Sequence, residues 1–162
     1  MSILRWLDKN LEEFLMVAFL VIMASIMGVQ VTMRYVFNNS LVWSEELTRY
    51  LFIWSAFISV SYCVKNQSSI KIDNLYNAVP KTVQKLFAVI SKTAMLLFFL
   101  YVFKFSLEVV SSTYLSHQKS PAMGLPIYIV QMSTVVGFFL CIIRQIQNLF
   151  QTLKPSKLNI EK

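Results

Sequence analysis

Few residues in this chain could do chemistry, and most of them border apolar runs. Lys92, Lys104 and Glu108 are the ionisable residues within or beside the third such run, and an ionisable group inside a membrane helix is a functional candidate until placed. Lys104 stands 18 residues past Leu86, about 27 Å along a helix, so its ammonium reaches the far interface. Glu108, at i+4, is positioned to pair with it. Lys92 is near enough to the opposite boundary to snorkel there. No acidic residue lies midway along any run, where a proton-coupled exporter would need a titratable group.

Enzyme readings find no support. His-Glu-x-x-His, Gly-x-Ser-x-Gly and a glycine-rich phosphate loop are all missing from the sequence. His117 is the one histidine and sits in a polar connection, which suits solvated surface and cannot furnish a metal site. Cys63 and Cys141 both fall in apolar runs and read as small buried thiols. No catalytic group, metal or cofactor is expected.

The densest cluster of polar and aromatic residues runs from Arg34 to Trp54, RYVFNNSLVWSEELTRYLFIW. Asn38, Asn39 and Ser40 supply turn chemistry. Ser44 is expected to cap the helix that follows, with Glu45 and Glu46 in its first turn, where carboxylates complement the helix dipole. Arg49 lies at i+4 from Glu45 and i+3 from Glu46, the spacing of an ion-pair ladder. Tyr35, Trp43 and Tyr50 form an aromatic belt of the kind found at membrane interfaces.

The elements that hold these residues follow from composition. The chain is 56% hydrophobic and 14% charged with a mean hydropathy of +0.58, against about 25% charged in soluble domains. Runs of roughly 20 apolar residues cover a hydrocarbon core of ~30 Å. Four segments qualify: 14–33, 47–64, 86–107 and 125–143. In lipid the backbone must satisfy its own hydrogen bonds, so each is expected to be a helix. The fold class is an all-α integral membrane protein, one four-helix membrane domain over 1–162. The first run is longer than a signal-peptide core and no small-x-small cleavage site follows it, so it reads as an uncleaved span.

Charge sets the expected orientation. Arg5, Lys9, Lys65, Lys71, Lys81, Lys85, Arg144, Lys154, Lys157 and Lys162 fall on one side, and Arg34, Arg49 and Lys119 on the other. Ten basic residues against three place both termini and the 65–85 connection in the cytoplasm. The net charge of +7 is thereby spread along membrane flanks, where it meets anionic lipid, and no nucleic-acid motif accompanies it. Ile3, Leu4, Leu7, Leu11 and Phe14 share one helical face, with Arg5, Asp8, Lys9, Glu12 and Glu13 mostly opposite on the solvated side. Ile72, Leu75, Tyr76, Val79, Val83 and Leu86 recur at helical spacing, broken by Pro80, so short interfacial amphipathic helices are expected in both places. Residues 154–162 read as a frayed tail.

Small residues mark packing faces: Ala24 and Gly28 in the first span, Ser55 and Ser59 in the second, and Ser133, Gly137 and Cys141 in the fourth. Such faces let helix backbones approach closely. The third span, Met95 to Phe103, is bulky all round and suits lipid or a large apolar partner.

The stretch Arg34-Tyr35-Val36-Phe37-Asn38, Trp43-Ser44-Glu45-Glu46-Leu47, Arg49 and Leu51-Phe52-Ile53-Trp54 resembles the small membrane subunit of tripartite ATP-independent periplasmic (TRAP) transporters. Ile70-Lys71-Ile72-Asp73 with Leu75 and Val79-Pro80 is similar to that family's cytoplasmic connection. Ser120-Pro121-Ala122-Met123-Gly124-Leu125-Pro126 is similar to its lead-in to the fourth span. Two positions depart from the pattern: Ser69 stands where the family often has histidine, and Ser133 and Thr134 stand where many members have proline.

The resemblance implies a bacterial inner-membrane scaffold that works with a large multi-span membrane subunit and a periplasmic substrate-binding protein. In such systems the large subunit carries an organic anion inward with sodium, by an elevator-like motion. Arg34, Trp43, Ser44, Glu45, Glu46, Arg49 and Trp54 are then expected to build the fold and the partner contact rather than bind substrate. Sialic acid and C4-dicarboxylates are both open as substrates. The competing readings are a self-sufficient channel or exporter formed by a small homo-oligomer and, more distantly, a membrane enzyme.

Overall fold

A computed structural model describes residues 2–66 and 81–153. It holds helices α1 (Ser2–Val36), α2 (Val42–Lys65), α3 (Lys81–Leu115) and α4 (Ile127–Leu153). Each contains a stretch long and apolar enough to cross a membrane: Asn10–Val36, Val42–Lys65, Leu86–Leu115 and Ile127–Phe150. The helices overrun the apolar runs wherever nothing breaks them, because a helix continues into the headgroup layer; only α4 starts late, at Ile127, since Leu125 and Pro126 belong to the loop before it. α1, at 35 residues, is about 52 Å long. The amphipathic flank over 3–14 is helical, but it runs unbroken into the first span instead of turning at the surface. Most of the second amphipathic piece, and the tail over 154–162, lie outside the described residues; Val83 and Leu86 sit in the opening turns of α3.

Local chemistry sets the helix ends. Asn38 adopts a left-handed φ of 50°, which asparagine tolerates better than most residues. The Asn39 N–H then donates to Met33 O at 3.0 Å, closing α1. The cap expected at Ser44 is corrected. α2 begins at Val42, with Leu41 at the cap position and no side-chain cap bond. Ser44, already inside the first turn and fully buried, donates its hydroxyl back to Leu41 O at 2.6 Å. The loop after α3 turns through His117 and Gly124, at φ 51° and 68°, and is cinched by a bridge between Lys119 and Pro126.

The helices pack as a row in the order α1, α2, α4, α3 rather than as a closed bundle: α1 contacts α2, α2 contacts α4, and α4 contacts α3. α2 and α4 run in the same direction, flanked by two helices running the other way. Among the described residues the apolar core is therefore small, Val64, Phe99 and Cys141 with Phe138 and Ile142 against them. The regular spacing of buried residues on α4 makes this possible. Val130, Ser133, Gly137, Cys141, Arg144 and Asn148 recur every three or four residues, and all are buried. A Cβ on Gly137 would stand 2.7 Å from Phe57 Cβ and 2.9 Å from Phe57 O, so only glycine lets α4 lie this close to α2. The row is one helix thick and leaves both broad faces open. Bulky side chains such as Leu97, Phe98 and Tyr101 on α3 and Phe14 and Leu20 on α1 are exposed, as a lipid or subunit contact requires.

Candidate functional site

Two polar locks fasten the ends of the row. At the end carrying the α1–α2 turn, Glu46 is buried. Its Oε2 accepts the N–H groups of Ala122 at 3.0 Å and Met123 at 2.9 Å, and its Oε1 accepts the Tyr50 hydroxyl. One carboxylate thus ties the start of α2 to the loop that leads into α4. Inside that loop, Ser120 N–H donates to Leu125 O at 2.8 Å, and Leu125 N–H donates to Ser120 Oγ at 3.2 Å. Nearby, Thr113 on α3 donates to Gln131 Oε1 on α4 at 2.5 Å. Gln30 on α1 donates to Glu45 Oε1 on α2 at 3.1 Å.

At the opposite end, Glu12 on α1 is completely buried. Its Oε2 lies 2.8 Å from Lys65 Nζ on α2, and its Oε1 lies 2.6 Å from Arg144 Nε on α4. One anion between two cations joins three helices. A second ring of bonds surrounds it. Asn148 Nδ2 donates to Val64 O at 2.7 Å, and Gln145 Nε2 donates to Lys92 O at 2.9 Å. Lys92 Nζ donates to Thr152 Oγ1 at 2.6 Å and toward Asn148 O at 3.4 Å. Lys92 therefore binds the last turn of α4, where a cation complements the helix dipole, instead of only snorkelling to the boundary.

The residues singled out from sequence divide accordingly. Ser44 and Glu46 are buried in the first lock, and Trp54 is half-buried. Arg34, Trp43, Glu45 and Arg49 are exposed. The Arg34 guanidinium stands 6.0 Å from the Tyr35 ring. The expected ladder from Arg49 to Glu45 and Glu46 is corrected: among the described residues Arg49 makes no ion pair, because Glu46 is turned to the loop amides and Glu45 toward Gln30. Lys104 and Glu108 are likewise exposed and unpaired with each other, and the Lys104 ammonium lies 6.0 Å from the Phe105 ring. His117 is exposed, as its surroundings implied. Cys141 is buried, whereas Cys63 is exposed.

Of the small-residue faces, Ser133, Gly137 and Cys141 are all buried, Gly137 against Phe57 of α2 and Cys141 beside Val64 of α2 and Phe99 of α3. Ser55 and Ser59 are half-buried. Ala24 and Gly28 face away from the chain, and a Cβ added at Gly28 would meet nothing within 4 Å. The Glu12–Lys65–Arg144 lock escapes sequence reasoning, which puts Glu12 on a solvated face. Its signal lies in α4, where the stripe of small residues runs on at the same spacing into Arg144 and Asn148. A helix face that packs along its whole length must bury those polar groups too, and a buried Arg needs an anion.

Chemically, both locks hold helices together; each carboxylate is saturated by donors from within the chain. No cluster of metal-ligating side chains occurs among the described residues.

Residues 23–154 match the family described as tripartite ATP-independent periplasmic transporters, DctQ component. The isethionate TRAP transporter permease protein DctMQ of Oleidesulfovibrio alaskensis is 32% identical over 91% of this chain, which spans 24% of that protein's length. The ectoine TRAP transporter small permease protein TeaB of Halomonas elongata is 29% identical over 91% of this chain and 75% of its own. The C4-dicarboxylate TRAP transporter small permease protein DctQ of Vibrio cholerae is 34% identical over 55% of this chain and 38% of its own. With its four membrane-crossing helices and its match across 23–154, the chain belongs to the DctQ component family of TRAP transporters, as a non-enzymatic, multi-pass protein of the bacterial inner membrane.

Proposed function

We propose that this chain is the fixed scaffold of a binding-protein-dependent secondary transporter, in which a separate large subunit carries the solute. The observation that carries this reading is the placement of the buried polar groups. The two carboxylate locks, on Glu12 and Glu46, sit at opposite ends of the row and are engaged by partners within the chain. Between them, the α2–α4 contact is made by small and apolar groups around Phe57, Gly137 and Cys141. Solute paths in transporters use broken helices and polar groups at the membrane midplane. A row tied at both ends and closed in the middle is a plate against which something else moves.

In this reading the large subunit moves as an elevator, coupled to sodium, and a periplasmic binding protein delivers an organic solute. Relatives are named for C4-dicarboxylates, sialic acid, isethionate and ectoine. An organic anion of the sialic acid or dicarboxylate type is the substrate class proposed, with the selecting groups in the other subunits. Both termini face the cytoplasm, following the basic residues, which puts the Glu46 lock on the periplasmic side.

Reconstitution into liposomes tests the proposal. Sodium-dependent uptake is expected only when the large subunit and binding protein are present. Uptake or leak by this chain alone favours the self-sufficient channel and ends the scaffold reading.

A further inference from the structure

Beside the Glu46 lock, an open groove of about 310 Å³ is lined by Met23 and Met27 from α1 and by Glu45, Thr48, Arg49 and Phe52 from α2. Met27 and Phe52 are exposed apolar walls. Glu45 and Arg49 stand one helical turn apart and are both exposed, yet they do not pair. Glu45 is held toward α1 by Gln30, and the Thr48 hydroxyl is committed to Ser44 O at 2.8 Å. Among the described residues the Arg49 guanidinium has neither a hydrogen bond nor an ion pair. Arg49 lies seven residues into α2, about 10 Å along it, near the start of the apolar run 47–64. A bare guanidinium beside lipid is costly, and its planar fork matches a phosphate.

We infer that this groove is a binding site for a membrane glycerophospholipid with an ammonium headgroup, its phosphate on Arg49, its ammonium against Glu45 and an acyl chain along Met23, Met27 and Phe52. The complementarity has three parts in the right order: a cation and an anion one turn apart at the mouth, then apolar walls. Methionines suit an acyl chain because their unbranched side chains adapt to an irregular shape. This goes beyond the scaffold reading and stands or falls separately from it.

Native mass spectrometry of the full chain co-purified with its large subunit tests the site, with phosphatidylethanolamine and phosphatidylglycerol as probes. Arg49→Ala is expected to reduce retention of both lipids about tenfold, the loss of one charge-assisted contact. Glu45→Gln is expected to weaken phosphatidylethanolamine alone, since phosphatidylglycerol has no ammonium. Arg49→Lys keeps the charge but loses the fork and falls between; together with Glu45→Gln it preserves the test if Arg49→Ala does not fold. Wild-type retention of phosphatidylethanolamine in both Arg49→Lys and Glu45→Gln overturns the proposal. So does loss of the large subunit from Arg49→Ala with lipid retention unchanged, which makes the groove a protein contact.

Discussion

Arg144 Nε lies 2.6 Å from Glu12 Oε1, joining residues 132 positions apart at one end of a row of helices that is only one layer thick. A closed bundle can rely on a central core, but this row has little core to offer. Its geometry depends on the polar contacts at its ends. Breaking one partner of a buried ion pair typically costs about 3–5 kcal/mol, because the other charge is left stranded.

Glu12→Ala removes the buried carboxylate shared by two cations, Lys65 and Arg144, so it is expected to be the more damaging change. Arg144→Ala leaves Glu12 with Lys65 and should cost less. Thermal unfolding in detergent should rank wild type above Arg144→Ala above Glu12→Ala, with the double variant close to Glu12→Ala. Equal stability of all four would show that the lock contributes nothing.

Glu46→Ala removes the acceptor of two loop amides without touching the apolar contacts. Hydrogen exchange at Ala122 and Met123 is expected to accelerate roughly tenfold or more, as a lost net bond of about 1–3 kcal/mol implies. Exchange in α4 around Gly137 should stay slow. Unchanged exchange at the two amides would remove Glu46 from its bracing role.

Gly137→Ala and Gly28→Ala form a matched pair. The first drives a Cβ to 2.7 Å from Phe57 Cβ, and the second meets nothing within 4 Å. Overpacking of this kind costs about 1–3 kcal/mol. Gly137→Ala should lower the unfolding temperature in detergent, and Gly28→Ala should leave it unchanged or raise it. The opposite order would mean that α2 and α4 do not meet at Phe57.

The fold was legible where one chemical rule acts alone. Lipid forces runs such as 86–107 into helices, and the spacing of Ser133, Gly137 and Cys141 marks a packed face whatever it packs against. The α1–α2 turn was readable because Asn38 is among the few residues at ease with a left-handed φ. Contacts settled by distant partners were not readable. Glu12 looks solvated until Lys65 and Arg144 arrive from 53 and 132 residues away. The Arg49 ladder has sound local spacing, yet the loop amides of Ala122 and Met123 and the Gln30 side chain claim the carboxylates instead. Exposed i+4 pairs are worth too little to resist such competition.

Orientation rests on the basic residues and is open to labelling in a background lacking Cys63 and Cys141. A cysteine at Gln118 should react with an impermeant maleimide added outside cells, and one at Asn66 should react only after lysis. The reverse pattern would invert the topology and move the Glu46 lock to the cytoplasmic face.

If the chain is a static plate, fixing its helices to one another should not matter for transport. Pairs of cysteines at Gln30 and Glu45, joining α1 to α2, and at Thr113 and Gln131, joining α3 to α4, can be bridged with short thiol cross-linkers in the assembled transporter. A chain that makes no different contacts in the two transport states cannot gate the cycle, so uptake into liposomes should stay within about twofold of the uncross-linked sample. Uptake that stops on bridging and returns when a cleavable bridge is reduced would contradict the account, because the helices of this chain would then have to move for solute to cross.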